Sequence, residues 1–299
     1  MNTRYNSLLF GFMGLMAFMN PLSSCGSSKS KTHAEVVESD SAAALLATDS
    51  VVFREDIDSV CECTIVVDSP RGDDSLAAGV DAFIASTLWQ HYMPVCDGAS
   101  KTVYKKYAGN VGDGKAVVDY YGKGTMAYMN AQMADLRKAG MTGGVGLACD
   151  ISIRKTYDTP RYATYHVDIY KFLGGAHGST FDYSVNIAKP SGEVIAETVD
   201  SLKLKALQPL LRKGVLSYLN EGGGYSSKVT DSELNDCLFV ENGIIPLPAY
   251  APSLGKDGVR FAYQQYEIGP YALGLVVFTV PYSDIKPYLT KKALECIAE

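Results

Sequence analysis

The strongest constraint on the fold is a glycine-rich turn between two stretches in which apolar and polar residues alternate. Residues 166–169 alternate before the turn, and residues 181–187 alternate after it. A period of two is typical of half-buried strands. Glycine adopts positive φ without a steric penalty, so the three glycines in residues 174–178 permit a sharp reversal. The sequence therefore predicts a hairpin that presents His177 at its tip.

The first 24 residues have the pattern of an export signal. Arg4 is their only charge, and residues 8–19 are all apolar or glycine. This run is shorter than the ~20 residues that span a bilayer. It ends in Leu22-Ser23-Ser24-Cys25, which resembles the lipobox of bacterial lipoproteins. The resemblance implies cleavage before Cys25 and acylation of Cys25, which would tether the chain to a membrane. The alternative is a plain signal peptide with a chance cysteine.

Residues 25–56 are rich in serine, lysine, alanine and aspartate and show no lasting period, which predicts a flexible tether. Some diderm bacteria retain a lipoprotein at the inner membrane when aspartate follows the acylated cysteine, but residue 26 is glycine. We therefore expect a lipid anchor in the cell envelope, at the outer membrane of a diderm. Without Arg4 the chain has 26 Lys and Arg against 33 Asp and Glu, a net charge of −7. Nucleic acid is therefore not expected as a partner, because phosphate binding needs a basic surface.

Six cysteines follow Cys25, and an even number in an exported protein first predicts disulfides, although the pairing stays open. They are Cys61, Cys63, Cys96, Cys149, Cys237 and Cys296. Buried free thiols and a zinc site are the alternatives. Zinc sites usually contain close Cys or His pairs, whereas Cys61 and Cys63 are the only close pair here. We predict no metal site and no cofactor.

Hydrophobic periodicity and turn residues predict an α+β fold with antiparallel sheets and segregated packing helices. The predicted strands are 61–68, 147–154, 166–169, 181–187, 259–263 and 273–280, and a hairpin is predicted around Glu241-Asn242-Gly243. Helices are predicted at 76–92, 125–139 and 209–219 and from Pro281 onward, with a long loop at 98–124. We expect two sequential α/β subdomains, an N-terminal one at 57–200 and a C-terminal one at 201–299.

Two segments together resemble a known family. The Gly174–Gly178 tip and the block Phe261–Ile285 are similar to the extracellular domain of RsiV-type anti-sigma factors, which also occurs beside the catalytic domain of PdaC-type peptidoglycan deacetylases. The likeness covers roughly residues 57–295. It implies a non-catalytic binding or sensing module, since RsiV-type members bind lysozyme and the deacetylases act on glycan. We expect no cytoplasmic segment before the anchor and no deacetylase domain, so sigma-factor regulation is not carried over.

The predicted function is a lipid-anchored envelope module, not an enzyme, that binds a lysozyme-like protein or a peptidoglycan glycan. The predicted ligand-binding residues are His177, Gly175, Tyr170, Tyr266 and Glu267. One alternative is an envelope hydrolase with His177 as general base, helped by Asp168 or Asp182. Another is a purely structural lipoprotein. His177 also has a structural interpretation, in which a ring nitrogen caps a backbone carbonyl, and Glu267 has one as an ion-pair partner.

Overall fold

Two β-sheets and the helices packed on them form the part of the chain that this computed structural model describes, residues 45–96, 104–140, 146–221 and 228–298. The first sheet has the order β1 (Thr48–Ile57), β2 (Cys61–Pro70), β3 (Leu147–Asp158), β4 (Tyr162–Phe172), β5 (Ser179–Ala188). The second sheet has the order β6 (Ser253–Leu254), β7 (Gly258–Tyr263), β8 (Val276–Pro281). All neighbouring strands are antiparallel except β2 and β3.

The helices lie between the strands in chain order. They are α1 (Ser75–Gln90), α2 (Met93–Cys96), α3 (Gly114–Lys138), α4 (Leu204–Glu221), α5 (Leu234–Cys237), α6 (Tyr282–Ile285) and α7 (Lys291–Ile297). The predicted α+β class is confirmed. The parallel pair in the first sheet arises because α1, α2 and α3 occupy the connection from β2 to β3, and a parallel pair needs such a long crossover. No helix in the described ranges is long and apolar enough to cross a bilayer.

Two hydrophobic cores lie within one compact unit that includes all the described residues. The first core lies among the first sheet, α1 and α3, and the second contains α4, β7 and β8. Tyr162 and Ala188 belong to strands of the first sheet but pack in the second core. The subdomain division at residue 200 stays a prediction.

Strand β1 occupies residues 48–57, where the sequence predicts the end of the tether, and residues 25–44 lie outside the described ranges. The strand lies at an edge of the sheet and pairs only with β2. Phe53 is its one buried residue, and charged residues follow it at positions 54–56. Such an edge strand lacks the apolar alternation on which sequence prediction depends.

Helix α3 begins at Gly114, so the long loop predicted at 98–124 is wrong in its second half. The Asp113 side chain accepts the Ala116 N–H at 3.0 Å and caps the helix. The glycines of this stretch led to the loop prediction. In the structure, Gly122 and Gly124 lie in the helix and allow other side chains to pack closely against it. A Cβ on Gly122 would lie 2.4 Å from the Phe53 ring, and one on Gly124 would lie 1.8 Å from the Tyr92 hydroxyl oxygen.

The hairpin predicted around residues 241–243 is also wrong. Those residues form a 3₁₀ turn, and the segments on either side of it do not pair as strands. The Gln208 amide from α4 takes the place of a partner strand. It accepts the Ile245 N–H at 2.9 Å and donates to the Ile245 carbonyl oxygen at 2.9 Å. This contact joins residues far apart in sequence, so no local pattern reveals it.

The five cysteines with described side chains are free, so the disulfide prediction is wrong for them: Cys61, Cys63, Cys149, Cys237 and Cys296. The side chain of Cys96 lies outside the described part. Cys63 on β2 lies opposite Cys149 on β3, and both are fully buried. A hydrogen bond with Cys149 and burial raise the pKa of the Cys63 thiol. The cysteines of this sheet therefore fill the core as small apolar residues.

Candidate functional site

The predicted hairpin forms from β4 and β5, with the glycine-rich turn between them. Gly174 and Gly175 have φ of 88° and 100°, the left-handed region that glycine adopts without strain. His177 is exposed on the turn, as predicted. A Cβ on Gly175 would contact nothing within 4 Å, so this residue lies at the open end of the hairpin.

The segment after β7 is attached to β5 by two glutamine side chains. Gln264 accepts the Asp182 N–H at 3.0 Å and donates to the Asp182 carbonyl oxygen at 2.9 Å. Gln265 accepts the Thr180 N–H at 3.0 Å. These amides make the hydrogen bonds that a further strand would make, because a carboxamide has the same donor and acceptor as a peptide group. The unpaired edge of β5 is thereby covered, and the residues after Gln265 are held beside the turn.

His177 joins the two segments through its ring. The imidazole stacks on Tyr271 with centroids 3.8 Å apart. Its Nδ1 lies 3.0 Å from the Gly178 carbonyl oxygen, which only accepts, so Nδ1 carries the proton. In this neutral tautomer Nε2 accepts the Tyr266 hydroxyl at 3.2 Å. The Tyr271 hydroxyl also donates to the Gly178 carbonyl oxygen, at 3.0 Å.

Two further tyrosine rings are exposed beside His177. Tyr266 is 59% exposed and has φ of 67°, an uncommon conformation for a non-glycine residue. Tyr170 is 38% exposed, and its ring lies against Gly178, where a Cβ would be 2.4 Å away. We name Tyr170, His177, Tyr266 and Tyr271 the aromatic tip. The structure thus brings together three of the predicted residues and adds Tyr271.

Glu267 lies below the aromatic tip and is bonded to backbone, with no Lys or Arg ion pair in the described part of the chain. Its carboxylate accepts the N–H groups of Gln264, at 2.7 Å, and of Ala249. Burial raises the pKa of Glu267, and the two backbone hydrogen bonds act in the opposite direction. The bond to Gln264 closes the turn that holds Tyr266 in its left-handed conformation. The contacts of Glu267 are therefore those of a residue that positions the tip.

The acidic residues named in the hydrolase alternative lie beside a different histidine. Asp168 and Asp182 are directly opposite each other on β4 and β5, and ligand atoms of His166, Asp168 and Asp182 all lie within 4.8 Å of one another. Asp182 forms an ion pair with Arg260, and its carboxylate lies 3.7 Å from His166 Nε2. Burial lowers the pKa of His166, whereas Asp182 raises it. This group has the donor types of a metal site, but Arg260 already neutralises Asp182.

Sequence reasoning missed Tyr271, Gln264 and Gln265 as site residues. All three lie in the block Phe261–Ile285, which can be explained as purely structural from its glycine and proline content. The signal available was the concentration of tyrosine and glutamine in residues 263–271, which is unusual for a turn. Only the contact with the hairpin, more than 80 residues earlier, assigns these side chains to the site.

The second half of this site has relatives among known proteins. Residues 231–283 match the family model described as "Protein of unknown function (DUF3298)". This DUF3298 segment includes Gln264, Gln265, Tyr266 and Tyr271, whereas Tyr170 and His177 precede it. The aromatic tip is therefore assembled across the boundary of the matched segment.

Two solved structures share the fold over most of the chain. A DUF3298 family member from Bacteroides fragilis is 21% identical with a TM-score of 0.60, and the alignment covers 83% of this chain and 95% of that one. A DUF3298 family protein from Pseudomonas aeruginosa is 13% identical with a TM-score of 0.52, over 84% of this chain and 98% of that one. At these identities the likeness concerns the fold alone. A search of curated proteins finds no match.

Proposed function

We propose that the chain is a non-catalytic binding module of the cell envelope that contacts its ligand through the aromatic tip. The supporting observation is that exposed rings from two distant segments are held together by glutamine and glutamate side chains bonded to backbone. Rigid, partly exposed tyrosines are the side chains that most often anchor ligands and partners. The resemblance to RsiV-type domains supports the same class of function.

A glycan is the ligand class that this geometry favours. The His177 and Tyr266 rings are neighbours, with centroids 6.1 Å apart and planes inclined at 43°, and hydrogen-bonding groups lie at the edges of their exposed faces. Such surfaces suit a sugar ring, whose faces are apolar and whose rim is polar. A lysozyme-like protein is the second candidate, because a cationic partner complements the net charge of −6.

The hydrogen bonds of His177 favour binding over hydrolysis. A general base needs a free lone pair near its substrate. In the neutral ring the Nε2 lone pair accepts the Tyr266 hydroxyl and Nδ1–H is bonded to a carbonyl. Neither Asp168 nor Asp182 forms a described hydrogen bond with His177.

Replacing Tyr266 with alanine should weaken binding to soluble peptidoglycan fragments by about tenfold or more, because an exposed anchor ring is lost. His177→Gln should weaken binding similarly and change the melting temperature little, since the residue is exposed and glutamine keeps a donor and an acceptor for the two hydrogen bonds of the ring. The measurements are titration calorimetry with the fragments, a parallel titration with lysozyme, and thermal melts. All three measurements use the chain from residue 26 onward.

Tyr120→Ala is the matched control, because it removes a tyrosine on α3 that is 37% exposed and has no described contact with the residues of the tip. It should bind like the unaltered chain. If His177→Ala and His177→Gln both melt early and bind normally once folded, the histidine is structural and the tip is not the binding site. If neither glycan nor lysozyme binds the unaltered chain, the proposed ligand classes are wrong.

We also propose that acylated Cys25 anchors the module to the outer membrane, with residues 26–44 as part of the tether. The support is the lipobox-like sequence; Cys25 lies outside the described residues. Cys25→Ser should move the protein from the detergent-extracted membrane fraction to the soluble fraction, since a lipid chain supplies the membrane affinity. Equal membrane retention of both forms in fractionated cells would argue against the anchor.

A further inference from the structure

A cleft of about 730 Å³ lies at the other end of β4 from the aromatic tip. It is lined by the turn between β3 and β4, the turn between β6 and β7, and residues of α6 and α7. Strand β4 runs from Tyr162, at the cleft, to Phe172, next to the tip turn. At about 3.3 Å per residue, the two places are separated by roughly 30 Å. A ligand in the cleft is therefore independent of the tip.

The charged side chains that line the cleft are all basic: Arg161, Lys256 and Lys286. None of the three forms an ion pair with a carboxylate of the described residues. Among the acidic groups nearest in sequence, Asp158 is neutralised by Lys155 and Lys189, and Glu295 lies 3.8 Å from Lys291. Asp257 and Asp284 form no ion pair with a described residue, but neither lines the cleft. On a chain with a net charge of −6, three unpaired cations around one cleft create a local positive potential.

Arg161 is held in place at the rim of this cleft. Its Nη1 donates to the Glu295 carbonyl oxygen in α7, at 2.9 Å. This contact uses one of the five guanidinium N–H groups and leaves the others for a ligand. Lys256, in the turn between β6 and β7, and Lys286, after α6, are exposed. The three cations therefore come from three separate elements that meet only in the folded chain.

Three tyrosines, Tyr157, Tyr162 and Tyr282, form the apolar wall of the cleft. The hydroxyls of Tyr162 and Tyr282 both donate to the Gly255 carbonyl oxygen, at 3.4 and 2.7 Å, which fixes the two rings. The Tyr157 and Tyr162 rings pack with centroids 5.9 Å apart. Burial raises the pKa of the Tyr162 and Tyr282 hydroxyls, so these two carry no negative charge at neutral pH.

We propose that this cleft binds an anionic sugar, with the ring against the tyrosines and a carboxylate or phosphate directed at Arg161, Lys256 and Lys286. The volume lies within the range of sites for small ligands, about 300–1,000 Å³. Aromatic rings with fixed hydroxyls suit a polyhydroxylated ring, and the three cations supply charge-assisted hydrogen bonds to its acidic group. The proposal does not depend on the aromatic tip or on its ligand.

Three sugars with the same ring test the proposal: glucose, glucuronic acid and glucose 6-phosphate. In titrations of the chain from residue 26 onward, we expect both anionic sugars to bind at least about tenfold more tightly than glucose. Raising the NaCl concentration from 0.05 to 0.5 M should weaken their binding, since salt screens exposed charges. Inorganic phosphate is the fourth probe. If it binds as tightly as glucose 6-phosphate, the cleft recognises an anion only and the sugar assignment is wrong.

Lys256→Gln and Lys286→Gln should each weaken binding of the anionic sugars by roughly fivefold, and the double variant by more. Lys205→Gln on α4 is the matched control, because it removes the same charge from an exposed position that does not line the cleft. Thermal melts of each variant separate lost binding from lost folding. Equal affinity for all three sugars, or equal effects of Lys205→Gln and Lys256→Gln, would overturn the proposal.

Discussion

Replacing Asn186 with leucine should lower the free energy of unfolding by about 3 kcal/mol. Asn186 lies on β5 and is only 2% exposed. Its Oδ1 accepts the Leu254 N–H at 2.7 Å, and its Nδ2 donates to the Leu254 carbonyl oxygen and to Thr164 Oγ1, both at 2.9 Å. Leucine would leave these groups buried with fewer partners, which costs more than the hydrogen bonds themselves contribute. The measurement is urea unfolding at pH 7.

The position of Asn186 explains why so large an effect is expected. Leu254 belongs to β6 in the second sheet, so this one amide connects the two sheets where both are buried. Asn186→Asp is the informative companion variant, because it keeps the acceptor for Leu254 N–H and loses the donors. Its stability should recover partly in acid, where a protonated carboxyl group donates again. A loss below about 0.5 kcal/mol in Asn186→Leu would show that the amide does not hold the sheets together.

Replacing His91 or Asp81 should change the pH dependence of stability in opposite directions. Burial, followed by the charge of Lys171, lowers the pKa of His91 to about 3 from 6.5. The folded state therefore resists protonation of His91, and the unaltered chain loses stability from this group as the pH falls below 6.5. His91→Gln removes this loss and keeps an acceptor for Lys171, which lies 3.4 Å from the ring. It should gain up to about 1.4 kcal/mol per pH unit relative to the unaltered chain on acidification.

Asp81 makes stability depend on pH in the opposite direction from His91. Burial raises its pKa to about 6 from 3.8, so its ionised form is disfavoured in the folded state. Stability from this group is lost as the pH rises from about 4 to 6. Asp81→Asn should therefore be more stable than the unaltered chain at pH 7, and this advantage should disappear by pH 4. Urea titrations between pH 4 and 7 measure both slopes, and parallel curves for the two variants would contradict these assignments.

Strand prediction succeeded where alternation between apolar and polar residues is visible within a few neighbouring residues. The stretch 61–68 lies in β2, residues 147–154 lie in β3, and the hairpin around His177 forms as predicted. In each case one face is buried and the other polar, so the period of two is visible in the residues themselves. Prediction failed for β1 and for the first half of α3, where burial depends on partners elsewhere. In α3, the glycines that pack against Phe53 and Tyr92 give the segment a glycine content that is typical of a loop.

The candidate site shows the same limit. Sequence reasoning selected Tyr170, His177 and Tyr266 from the pattern of the turn and from a resemblance, and the structure places them together. It could not assign Gln264 and Gln265, since their role is to bond the edge of β5. Asp168 and Asp182 were associated with His177 because all three surround one hairpin. Alternation along the strands instead places both aspartates beside His166, on the same face of the sheet.

The sequence by itself determined the α+β class, the hairpin and the exposure of His177, because periodicity and glycine conformation act over a few residues. Only the tertiary structure decided that the five described cysteines are free, that Tyr271 stacks on His177, and that three cations and three tyrosines surround one cleft. These features depend on contacts between residues up to 134 positions apart, for which the chain carries no local signal. The glycine-rich tip was visible in the sequence, and its partners were not.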